Sequence, residues 1–178
     1  MFLLANQGKG DAVSIGFNVD EIFQMAEQIE RNGAYFYKKA ASGAEPQTAQ
    51  VLLQLSAMEE EHEKTFTRMR AELSEKERNA MVPDPENQAA AYLRAWTDGQ
   101  VFNVRSNPAE RLTGREKAED IWRIAIGLEK DSIVFYLGMK DAVPERLGRD
   151  KIDRIIKEEM VHIAILSGKL ETLRHQSL

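Results

Sequence analysis

Two of the three histidines in the 178-residue chain have a glutamate three residues before them, Glu59 before His62 and Glu159 before His162. At helical spacing, residues three apart share one face. That face is otherwise apolar: Leu52, Leu55, Phe66, Met69 and Leu73 continue it around the first pair, and Ile152, Ile155, Leu166 and Leu173 around the second. A lone carboxylate is costly to bury, so a Glu-x-x-His pair on a core stripe points to a metal ion as its partner.

Two further glutamates lie on apolar faces upstream of these pairs. Glu30 sits in the run 26–37 and Glu129 in the run 125–136. Aligned on them, Ala26 matches Ala125, Ile29 matches Leu128, Phe36 matches Phe135 and Tyr37 matches Tyr136. Glu30 and Glu129 are 99 residues apart, and the two Glu-x-x-His pairs are 100 apart. The chain therefore reads as an internal repeat of two helical hairpins, each supplying one lone Glu and one Glu-x-x-His.

Four carboxylates and two neutral imidazoles balance the charge of two divalent cations. A carboxylate-rich set with one imidazole per ion suits iron or manganese, and zinc can also bind; without thiolates, copper(I) has no natural ligand. Glu59 and Glu159 share helices with the histidines and are expected to bridge the ions, leaving Glu30 and Glu129 as terminal ligands. Tyr37 and Tyr136 lie seven residues beyond Glu30 and Glu129 on the same faces. Each either hydrogen-bonds a ligating carboxylate of the opposite hairpin or is a core tyrosine bonded elsewhere. Glu60, Glu61, Glu63 and Glu158 read as solvated charges, and His175, with Thr172 three before it, has no assigned role.

The elements that must carry these residues follow from the periodicity. The first helix begins near Asn18 or Asp20, either of which can cap it, and runs to about residue 41. After Ser42 and Gly43, Pro46 suits the first turn of a second helix, whose pattern fades beyond Leu73. So short a connection makes the two antiparallel neighbours. Pro83, Pro85, Gly99 and Pro108 punctuate a long crossover, with room for a short helix over 87–96 that carries Tyr92, Leu93 and Trp96. A third helix over about 115–139 and a fourth over about 150–173 complete an all-α antiparallel four-helix bundle with the long crossover between helices 2 and 3. Residues 1–17 read as a poorly ordered lead-in, and 18–178 as one di-metal bundle domain.

Composition narrows the function classes. A net charge of −5 with no long basic block argues against nucleic acid or an anionic membrane as partner. The absence of cysteine excludes a thiol nucleophile, an iron–sulfur cluster and a rubredoxin-type iron site within this chain. No apolar run approaches the roughly 18 residues of a membrane span, and the opening residues lack a signal-peptide pattern, so a cytoplasmic protein is expected.

With these residues in place, the sequence resembles the ferritin-like superfamily, most closely the rubrerythrin-type di-iron proteins without a rubredoxin domain. The runs 126–132 and 155–162 carry the likeness, which extends over about 18–173. The resemblance implies that Glu30, Glu59, His62, Glu129, Glu159 and His162 are both the metal ligands and the catalytic residues, holding two iron ions. It implies an oxidoreductase that reduces hydrogen peroxide or dioxygen with electrons from a separate donor protein. An iron-buffering protein, or a metal-stabilised scaffold dimerising through Tyr92, Trp96 and the crossover, are the alternatives. Typical rubrerythrins carry a second Glu three residues after the helix-3 ligand, where this chain has Ser132. Bacterioferritins place a haem-binding Met where it has Glu60.

Overall fold

The computed structural model describes residues 17–82, 91 and 107–176. Four long helices dominate: α1 (Val19–Ser42), α2 (Pro46–Ala71), α4 (Ala118–Ala142) and α5 (Arg149–Gln176). A short α3 (Glu75–Asn79) follows α2, at a place where the apolar stripe predicts only fading helix. Ser74 and Glu77 explain it, since each accepts the other's backbone N–H in a capping box. The start of α1 is settled in favour of Asn18, whose side chain accepts the Glu21 N–H at 2.8 Å while Glu21 returns the bond at 2.9 Å. Pro46 opens α2 as its missing N–H allows.

Three residues separate α1 from α2, and α1 packs along α2 as α4 packs along α5. The hairpins meet through two apolar clusters. One joins the start of α1 (Ile22, Phe23) and the end of α2 (Phe66, Met69) to the end of α4 and the start of α5. The other joins the opposite ends, with Phe36, Leu52, Trp122 and Leu166 among its members. Hence α2 ends at one end of the bundle and α4 begins at the other. That is the topology of a ferritin-like antiparallel bundle. Ahead of α4, Pro108–Arg111 forms a 3₁₀ turn whose Ala109 carbonyl accepts from Lys39 Nζ at 2.8 Å.

The helix expected over 87–96, with Tyr92 and Trp96, lies outside the described residues apart from Ala91. So does the lead-in, apart from Phe17, which packs against the core and accepts the Val82 N–H at 3.0 Å. No helix among the described residues is long and apolar enough to cross a membrane. The α1–α2 hairpin is closed electrostatically at its open end, where Arg70 forks onto Asp20 at 3.0 and 3.1 Å and reaches Glu27 at 3.2 Å.

Gly148 turns the chain into α5 with φ of +100°, and a Cβ there would approach Met69 Cε to 2.9 Å. Gly148→Ala is therefore expected to cost about 1–2 kcal/mol from the left-handed backbone alone. Urea denaturation of variant and wild type would show it, and an unchanged midpoint would mean that the turn does not need this conformation.

Candidate metal centre

The six side chains picked out by type and spacing arrive from four helices into one layer between the two apolar clusters. Glu30 comes from α1, Glu59 and His62 from α2, Glu129 from α4, and Glu159 and His162 from α5. None is more than 4% exposed. Their donor atoms form two overlapping sets, each with its members within 4.8 Å of one another. One comprises Glu30, Glu59, His62 and Glu159, the other Glu59, Glu129, Glu159 and His162. Glu59 and Glu159 belong to both sets, the position a bridging carboxylate needs, while Glu30 and Glu129 belong to one each.

Both imidazoles turn Nδ1 inward. His62 Nδ1 is 3.0 Å from Glu159 and 3.5 Å from Glu30 and Glu59. His162 Nδ1 is 2.8 Å from Glu159 and 3.2 Å from Glu59. The rings lie nearly parallel, their centroids 5.7 Å apart. Yet Glu59 Oε1, both Glu159 oxygens and both Nδ1 atoms are buried without a properly directed hydrogen bond. Each such atom costs about 1–3 kcal/mol if nothing else meets it. Orphaned donors of this chemistry, converging in two sets, fit a pair of cations.

The tyrosines resolve the choice left open by the sequence. Tyr37 Oη donates to Glu129 and Tyr136 Oη donates to Glu30, each reaching the opposite hairpin. Burial first, and then the neighbouring carboxylate charges, push both phenols well above their ordinary range, so they stay protonated donors.

Ser132 and Gly33 occupy corresponding places, three residues after Glu129 and Glu30, and both line a cavity of about 20 Å³ with Tyr37, Glu59 and Glu129. That is on the order of one water-sized molecule. A Cβ at Gly33 would lie 3.4 Å from Glu59 Cγ, in contact with that side chain.

One surface charge has a partner that its spacing does not announce. Glu158, read as a solvated charge, accepts a contact of 2.8 Å from His62 Nε2 although its side chain is 44% exposed. It sits at the edge of the apolar stripe, where periodicity alone marks a residue as surface. Glu60, Glu61 and Glu63 are surface ion-pair partners of Lys38, Lys64 and Arg31, and His175 is exposed.

Without metal the cluster must neutralise itself with protons. Burial, then the charges of the other carboxylates, raises Glu30 and Glu59, and raises Glu129 to about 8. Glu159 departs from the expectation that every buried carboxylate rises: burial raises it, but His162 and His62 outweigh that and hold it at about 2. Burial disfavours the imidazolium of His162, yet Glu129, Glu159 and Glu59 carry it up to about 12, and His62 rises similarly through Glu159, Glu30 and Glu59.

A bundle of four long antiparallel helices with a buried carboxylate–imidazole cluster of the dimetal kind at its centre defines a ferritin-like protein. The same fold is found in a Thermotoga maritima structure assigned as a ferritin-like diiron-carboxylate protein. It is 21% identical, the match covers 88% of this chain and 96% of that one, and the TM-score is 0.64. The rubrerythrin family model matches residues 21–170, and the chain belongs to the rubrerythrin family. No curated protein matches it.

Two outcomes follow from this geometry. Anaerobic titration of the metal-free protein with Fe(II) should saturate at about two ions per chain, and Glu59→Ala or Glu159→Ala should abolish paired binding by removing a shared ligand. A wild type that binds none would show that the cluster is not a metal site. The second outcome concerns stability without metal. Groups with raised folded values, Glu129 at about 8 and His162 at about 12, contribute stability that is lost as pH rises through those values. Glu159, held low at about 2, contributes stability lost only in strong acid. The thermal midpoint of the metal-free protein should thus fall between about pH 5 and 8, and added metal should oppose the fall because it displaces the protons. A midpoint rising steadily over that window would mean that the carboxylates do not share a site.

Proposed function

We propose that this protein is a carboxylate-bridged di-iron oxidoreductase that reduces hydrogen peroxide or dioxygen by two electrons, taking its electrons from a separate donor protein. The observation that carries the reading is the sharing of Glu59 and Glu159 by both donor sets, which would hold two ions side by side. A bound iron pair would supply the electrons and the Lewis acidity that such a two-electron reduction needs.

The chain's own residues do the rest. Tyr37 and Tyr136 pin the two terminal carboxylates from across the bundle, so the ligand layer is held by both hairpins at once. Stacked apolar clusters above and below keep bulk water out. The cavity beside Glu59 and Glu129, about 20 Å³, matches an oxidant of very few atoms. Its small walls, Gly33 and Ser132, leave that space open.

Steady consumption of peroxide or dioxygen by the iron-loaded protein, dependent on an added reductant, is the test. Full iron occupancy without turnover would instead make it an iron-holding protein. Ser132 offers a finer one. A glutamate at that place in typical rubrerythrins gives one iron an alternative ligand, and serine is too short to do so. Wild type is therefore expected to prefer peroxide over dioxygen less strongly than those proteins do. Ser132→Glu, one turn from Glu129, should shift the preference towards peroxide. Stopped-flow oxidation of the Fe(II)-loaded proteins by each oxidant measures this. A strong peroxide preference in wild type that the substitution leaves alone would show that the extra carboxylate is not the determinant.

A further inference from the structure

The repeat makes the two halves of the centre near copies, but the far side of the two histidines differs. His62 Nε2 meets Glu158 Oε2 at 2.8 Å, on the wall of a surface cleft of about 410 Å³ that also includes Arg68, Lys151 and Arg154. His162 is 0% exposed, and among the described residues its Nε2 has no hydrogen-bond partner. The repeat equivalent of Glu158, 100 residues earlier, is Met58, whose thioether is a weak acceptor.

A neutral imidazole that gives its Nδ1 lone pair to a metal carries its hydrogen on Nε2. A carboxylate accepting that N–H selects the tautomer, fixes the plane of the ring and makes the metal-facing nitrogen a better donor. His62 has such an acceptor and His162 has none. A buried N–H with no acceptor is itself unfavourable, so the ligating tautomer of His162 is the less supported of the two.

We propose that Glu158 is a positioning residue for His62 and makes the two metal positions unequal, the one on His62 holding its ion more tightly than the one on His162. The inference rests on the six-ligand assignment but not on turnover, and its readout is metal affinity. The ions would load in order, first with Glu30, Glu59, Glu159 and His62, then with the remaining set.

The experiment is an anaerobic titration of the full, metal-free chain with Co(II), followed by visible absorption and by calorimetry. Wild type should show two steps about 10-fold or more apart. Glu158→Ala should weaken the tighter step by on the order of 10-fold and leave the weaker one in place, so that the two converge. Glu158→Gln, which keeps an acceptor oxygen, should recover part of the loss, and Met58→Glu should tighten the weaker step. Glu158→Ala also leaves the buried His62 Nε2 without its acceptor, so thermal midpoints of the metal-free variants are measured alongside, and a tighter step that Glu158→Gln partly recovers while the weaker step stays in place separates lost positioning from lost folding. Two ions bound in equal steps that Glu158→Ala does not move, or both steps weakened alike, would overturn the proposal while leaving the paired site standing. A wild type that binds no Co(II) would overturn both.

Discussion

Four carboxylates brought within a few ångströms of one another inside an apolar bundle repel, and neutralising that charge is the requirement on which the remaining structure depends. Two divalent cations would meet it directly. In their absence, burial and mutual repulsion raise Glu30, Glu59 and Glu129 towards holding protons, while the two imidazoles, raised by the carboxylates around them, hold Glu159 low. The cluster is thus built around positive charge whichever form that charge takes. The apolar layers at both ends supply the folding energy that lets so unfavourable a constellation persist.

Cross-hairpin hydrogen bonds make this layer a shared property of the two halves. Neither hairpin holds its own terminal carboxylate: Tyr136 of the second holds Glu30 of the first, and Tyr37 of the first holds Glu129 of the second. The arrangement couples hairpin docking to assembly of the centre, since a small shift of one half would release a carboxylate in each. The 3₁₀ turn ahead of α4 is tied back onto α1 through Lys39 and Ala109.

Against that near symmetry, the departures are where function is differentiated. Ser132 faces Gly33 across a cavity that a longer side chain would fill. Glu158 backs one histidine, while Met58 stands at the equivalent place behind the other.

Much of the protein was legible in the sequence because helical periodicity is a local property. The spacing of Glu59 and His62 on an apolar stripe, and its repetition 100 residues later, depends only on 3.6 residues per turn. The fold class follows from the same pattern together with a three-residue connection and a long crossover. The tyrosine contacts could be narrowed only to two options, since which carboxylate each hydroxyl meets depends on how the hairpins dock. Tertiary structure alone decided that Glu158 reaches His62 and that Gly33 and Ser132 line one cavity. Each is a distance between atoms on different helices. Those distances are set by interhelical packing to fractions of an ångström, whereas a single helix's sequence pattern reports only which of its faces is buried.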